Sequence, residues 1–104
     1  MSLSIAVLGL GAWGTTLAGL LQQQGHRIQG WSRRQGGDPL RALEGADLAL
    51  VTTSMAGVEQ LAPELGPQWP QALPLLSCTK GINLLQQCTP GQLWQRHSPD
   101  LSLM

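Results

Sequence analysis

The chain has 104 residues, equal numbers of basic and acidic side chains, and only 12% charged residues. That length supports one domain with a real core, while the zero formal charge leaves no basic stripe for nucleic acid and no charged tail or face for a membrane surface. The start lacks a basic n-region and its apolar run breaks at Gly9, so neither a signal peptide nor a membrane span is read and a cytoplasmic protein is expected.

Ile5-Ala6-Val7-Leu8 is continuously apolar from Ser4 on, the pattern of a central parallel strand covered on both faces. Gly9-Leu10-Gly11-Ala12-Trp13-Gly14 follows it and opens a helix-like run with Leu17, Leu20 and Leu21 at helical spacing, capped by Gly25. His26 to Trp31 is placed as the returning second strand, and Ser32 to Gly37 as a polar loop. Asp38-Pro39 marks a helix N-cap with proline in the first turn, so Leu40 to Glu44 is read as a short helix closed by Gly45.

Asp47 to Thr52 is the clearest strand after the first, and Thr53-Ser54 caps a helix through Val58, Leu61 and Leu65 that Pro63 is expected to limit or kink. Beyond the turn-forming Gly66-Pro67 and Trp69-Pro70, Leu73 to Cys78 reads as a fourth strand, and Thr79-Lys80-Gly81-Ile82 as the loop at its carboxyl end. Thr89-Pro90 begins a last helical segment through Leu93, Trp94 and Arg96, and the tail from Asp100 resembles the approach to another strand. The sum is an α/β, Rossmann-like doubly wound parallel sheet of about four strands, one domain over residues 1–104. Because the passage from Trp31 to Asp47 is short, the usual outer third strand is expected to be missing or vestigial.

A Gly-x-Gly-x-x-Gly between a buried strand and a helix is a dinucleotide-binding signal. Gly9 permits the tight turn, Gly11 lets a pyrophosphate approach the backbone, and Gly14 lets helix and strand pack closely. The helix N-terminus then presents free N–H groups and the positive end of its dipole to phosphate. Where NAD-preferring folds place an acid after the second strand, this chain has Arg33 and Arg34, suited to a 2′-phosphate; NADP(H) is favoured and NAD(H) remains open.

Lys80 is the chain's one lysine, at the strand edge where such sheets bind ligands; it either polarises a carbonyl, holds a phosphate, or is simply solvated. Trp13 either lines the cofactor pocket or packs at the helix start. The two cysteines lack metal or redox spacing and are read as reduced structural thiols, no metal is expected, and no catalytic triad or carboxylate pair is present.

Three blocks, Gly9 to Ala18, Gly25 to Arg33 and Thr79 to Ile82, together resemble the N-terminal domain of NAD(P)-dependent glycerol-3-phosphate dehydrogenase. The resemblance covers most of the chain. It implies hydride transfer between a nicotinamide and the central carbon of glycerol 3-phosphate or dihydroxyacetone phosphate, in the supply of phospholipid backbones. It assigns Trp13 to the cofactor region, Arg33 and Arg34 to the adenosine ribose side, and Lys80 to both cofactor and substrate. Ala12 departs from the serine common in the family, which leaves that phosphate contact to the backbone. The resemblance also implies a helical C-terminal domain that carries the lysine base, so these residues alone are expected to hold a dinucleotide without turnover. A non-catalytic NADP(H)-binding module, or the N-terminal domain of another hydroxyacid or ketoacid reductase, is the alternative. The sequence leaves oligomeric state open.

Overall fold

A computed structural model describes residues 2–79 and 88–104. Four strands, β1 (Ser4–Leu8), β2 (Arg27–Trp31), β3 (Leu48–Val51) and β4 (Leu75–Ser77), form one sheet in the order β2-β1-β3-β4. Every pairing is parallel: Ser4 sits opposite Arg27, Ile5 opposite both Ile28 and Leu48, and Ala49 opposite Leu75. The helices α1 (Ala12–Gln23), α2 (Pro39–Leu43), α3 (Met55–Leu65) and α4 (Pro90–His97) lie between or after them.

Strand periodicity divides the core in two. Ile5, Val7 and Leu50 pack with Ala18 of α1 on one face, whereas Ala6, Leu8, Ala49 and Val51 meet α2, α3 and α4 on the other. Because both faces are covered, β1 reads as unbroken apolar sequence. The chain leaves β1 toward β2 through α1, then crosses to β3 on the opposite side through α2. The carboxyl ends of β1 and β3 therefore flank the point where the strand order reverses, the crevice position for ligands in such sheets. Residues 32–47 contain α2 and no strand, so among the described residues β2 is the sheet edge and the usual outer third strand is missing, as expected.

Two boundaries differ from the sequence reading and a third is reached through a proline. First, α1 begins at Ala12 with Gly11 as its N-cap, so Trp13 and Gly14 belong to the helix. Second, α3 runs through Pro63 to Leu65, the end the spacing gave it, without proline limiting it, and then tightens into a 3-10 turn at Gly66–Gln68. Proline in a helix interior costs about 3 kcal/mol, but Leu61, Ala62 and Leu65 are fully buried here, and each buried leucine returns roughly 1.5–3 kcal/mol. Third, β4 is confined to Leu75–Ser77, with Pro74 before it rather than within it. The tail does return to the sheet: Leu103 forms a parallel bridge with Leu75, through Leu75 N–H to Ser102 O (2.8 Å) and Met104 N–H to Leu75 O (2.9 Å).

Candidate dinucleotide site

The turn after β1 is held from both sides. Gly9 has φ +114°, a conformation that side chains rarely adopt, and a Cβ there would press on Thr53 N at 2.8 Å. Its N–H donates to Trp31 O of β2 at 2.8 Å, and its carbonyl accepts from the Thr52 hydroxyl at the end of β3 at 2.6 Å. Gly14 lies behind the turn, where an added Cβ would overlap the Gly9 carbonyl oxygen and come within 2.7 Å of Thr52 Oγ1. Gly11 differs: nothing lies within 4 Å of the place its Cβ would take.

This open space at Gly11 coincides with an uncapped helix start. No side chain caps α1 and no acid occupies its first turn, so its N-terminal amides and dipole are available to an anion. Thr15 and Thr16 hydroxyls instead donate back to Leu10 O (3.0 Å) and Ala12 O (2.9 Å). The residues thus fit a pyrophosphate: open backbone at Gly11, free amide dipoles, and no competing carboxylate.

In front of the turn lies a crevice of about 380 Å³, walled by Gly9, Leu10 and Gly11, by Trp31 to Arg33, and by Thr52 to Ser54 with the first turns of α3. Its wall at the end of β2 is ordered by Trp31, a buried residue whose indole N–H donates to Gly37 O at 3.0 Å. The Arg33 guanidinium lies over that ring, 5.4 Å from its centroid, a cation–π arrangement. On the other wall Ser54 caps α3, its hydroxyl accepting from Gly57 N–H at 3.2 Å. Thr79 reaches across from the end of β4, its hydroxyl donating to Thr53 O at 2.7 Å, while Thr53 Oγ1 is buried with no partner among the described residues.

Of the residues singled out from sequence, Gly9, Gly11 and Arg33 wall the crevice. Gly14 supports it from behind. Trp13 is 55% exposed in the first turn of α1, and exposed Arg34 lies beyond the wall. Lys80 lies outside the described residues, as do Gly81 and Ile82. Leu10, Thr52 and Thr53 were missed as wall residues; the signal was their place at the carboxyl ends of β1 and β3, at the strand-order reversal. His26 is occupied elsewhere, its Nδ1 accepting from Leu3 N–H at 3.1 Å.

Cys78 and Cys88 are free thiols, and burial pushes the Cys78 thiol above its usual range. No group of metal-ligating side chains occurs among the described residues. A second opening, of about 350 Å³ between Trp69, His97 and Asp100, gathers none of the predicted residues. No helix among the described residues is long and apolar enough to cross a membrane.

Residues 4–37 match the family model described as the NAD-dependent glycerol-3-phosphate dehydrogenase N-terminus. Along 97% of its length the chain is 44% identical to a glycerol-3-phosphate dehydrogenase [NAD(P)+] of Synechococcus sp. (strain JA-2-3B'a(2-13)), and along 92% it is 40% identical to that of Nostoc sp.. It spans only 32% of the length of each of these curated relatives. Among solved structures, the glycerol-3-phosphate dehydrogenase of Coxiella burnetii superposes with a TM-score of 0.85 over 98% of this chain and 39% of its own, at 18% identity. A Mycobacterium tuberculosis 3-hydroxyisobutyrate dehydrogenase gives 0.79 over 99% and 39%, at 17% identity, so these superpositions speak for the shared dehydrogenase fold. Over nearly its whole length, then, the chain has the sequence and the fold of the N-terminal domain of the glycerol-3-phosphate dehydrogenase [NAD(P)+] family.

Proposed function

We propose that this chain is the dinucleotide-holding part of a glycerol-3-phosphate dehydrogenase, with NADP(H) favoured over NAD(H). The observation that carries the reading is the uncapped, acid-free start of α1 behind the open backbone of Gly11, at the strand-order reversal. Gly9 and Gly14 keep the turn tight, Gly11 admits the pyrophosphate, and the α1 amides hold it. Arg33, carried over the Trp31 ring, pairs the 2′-phosphate, with Arg34 in a supporting role. Trp13, in the first turn of α1, belongs to the cofactor-binding region, and Lys80 contacts both cofactor and the small phosphorylated three-carbon substrate.

When bound, the nicotinamide supplies or accepts hydride at the central carbon of dihydroxyacetone phosphate or glycerol 3-phosphate. The proton transfer and most of the substrate pocket belong to a catalytic domain C-terminal to these residues. The 104 residues alone therefore bind cofactor without turning over substrate, and the whole enzyme serves phospholipid precursor synthesis in the cytoplasm. Tryptophan-fluorescence titration with NADPH and NADH tests this reading, paired with an assay for oxidation of NADPH by dihydroxyacetone phosphate. Arg33→Ala is expected to weaken NADPH binding by roughly ten- to a hundredfold, the loss of one charge-assisted contact. NADH binding should barely change, and Arg34→Ala should have a smaller effect. Equal affinities for both cofactors, untouched by either substitution, would remove the 2′-phosphate assignment; turnover by the 104 residues alone would refute the division of labour.

A further inference from the structure

We infer that Thr52 is a positioning residue that locks the phosphate turn from the neighbouring strand. Its backbone N–H makes an ordinary sheet bond to Leu8 O (2.9 Å), but its hydroxyl reaches past the ladder to Gly9 O at 2.6 Å, with Leu8 O a longer second acceptor at 3.3 Å. Gly9 is buried, so its carbonyl has no water to fall back on.

A peptide unit is planar, with C=O and N–H on opposite sides, so fixing the Gly9 carbonyl also fixes the Leu10 N–H. That N–H lies in the first peptide of the turn. Since Gly9 at φ +114° has wide rotational freedom, the peptide after it is the joint at which the turn can reorient. The peptide before Gly9 is tied to β2 through the Gly9 N–H to Trp31 O, and the Thr52 hydroxyl supplies the tie to β3 for the peptide after it. The same oxygen lies 2.7 Å from where a Gly14 Cβ would stand, so the hydroxyl also packs beside the start of α1. Thr52 thereby couples the strand-order reversal to the turn, and a side chain lacking a donor at this position leaves a buried carbonyl unpaired.

This inference rests on the dinucleotide reading of the turn for its effect on affinity, though not for its effect on the turn itself. Its test compares Thr52→Val, which keeps the shape and removes the donor, with Thr52→Ser, which keeps the donor. Two readouts are used in the 104-residue chain: amide hydrogen exchange without ligand, and NADPH titration. In Thr52→Val the Gly9 amide should exchange about tenfold faster while those of Ile5 to Val7 keep their rates, and NADPH should bind about tenfold more weakly. Thr52→Ser should restore both to within about twofold of the parent. Unchanged exchange at Gly9, or equal acceleration along all of β1, overturns the lock, the second because it marks a general packing role. Absence of NADPH binding by the parent chain would instead sink the dinucleotide reading, while the exchange rates still decide for or against the lock.

Discussion

Gly11 and Gly14 stand three residues apart in one helix start and answer to opposite constraints. At Gly14 a methyl group meets backbone, the Gly9 carbonyl, which cannot step aside. Gly14→Ala should therefore destabilise the fold by about 1–3 kcal/mol, the usual cost of overpacking, and lower cofactor affinity as well. At Gly11 the methyl group meets open space at an ordinary φ of −71°, so Gly11→Ala should cost no more than about 1 kcal/mol of stability, the scale of an N-cap change. Its affinity for dinucleotide should still fall sharply. Urea unfolding read beside NADPH titration separates the two; a Gly11→Ala protein that binds as the parent does would mean that no phosphate approaches there. The glycines were legible because their constraints are local to a strand–turn–helix. The difference between Arg33 and Arg34 was not, since it depends on which guanidinium the loop swings over Trp31, a residue fixed by its own bond to Gly37. Thr52 was likewise read only as strand, because its partner Gly9 lies 43 positions away.

Among the elements, side-chain caps were the helix signals most legible in sequence. Asp38 caps α2 through Leu40 N–H at 3.0 Å, Ser54 caps α3, and Thr89 caps α4 in a reciprocal box with Gln92, all at residues that announce a cap in sequence. The box in α4 joins Gln92 N–H to Thr89 Oγ1 at 3.2 Å and Thr89 N–H to Gln92 Oε1 at 2.9 Å. Thr89→Ala should cost about 1 kcal/mol in urea unfolding. It should leave NADPH affinity unchanged, since α4 contributes nothing to the crevice wall. A loss of affinity with Thr89→Ala would tie α4 to the site after all. The apolar spacing already carried α3 past Pro63 to Leu65; what the sequence could not show is that proline's local penalty is overruled by burial against β1 and β3, which only the assembled sheet supplies.

Among the described residues the two faces of the sheet are unequally served, one by α1 alone and the other by α2, α3 and α4 together. The helix that opens at the phosphate turn is thus the sole helical cover of its face among the described residues, and it keeps Trp13 and Leu20 more than half exposed. A ligand on its N-terminus should stabilise the entire fold. At NADPH a hundredfold above its Kd, the gain is about 2.7 kcal/mol, a rise in Tm of roughly 10–20 °C for a domain of this size. Thermal melts across an NADPH series check this, and a Tm independent of NADPH would contradict binding to the folded state. The all-parallel register also governs how the chain reaches its fold. Ser4 waits for Arg27, Ile5 for Leu48 and Ala49 for Leu75, so no strand pair can form from a hairpin and each must close a long loop before any ladder bond rewards it. β1 must therefore wait for both β2 and β3 before its two edges are satisfied. Until β3 arrives, β1 offers an unpaired hydrophobic edge to any other chain nearby, and the interval before that pairing is where this molecule is most open to aggregation.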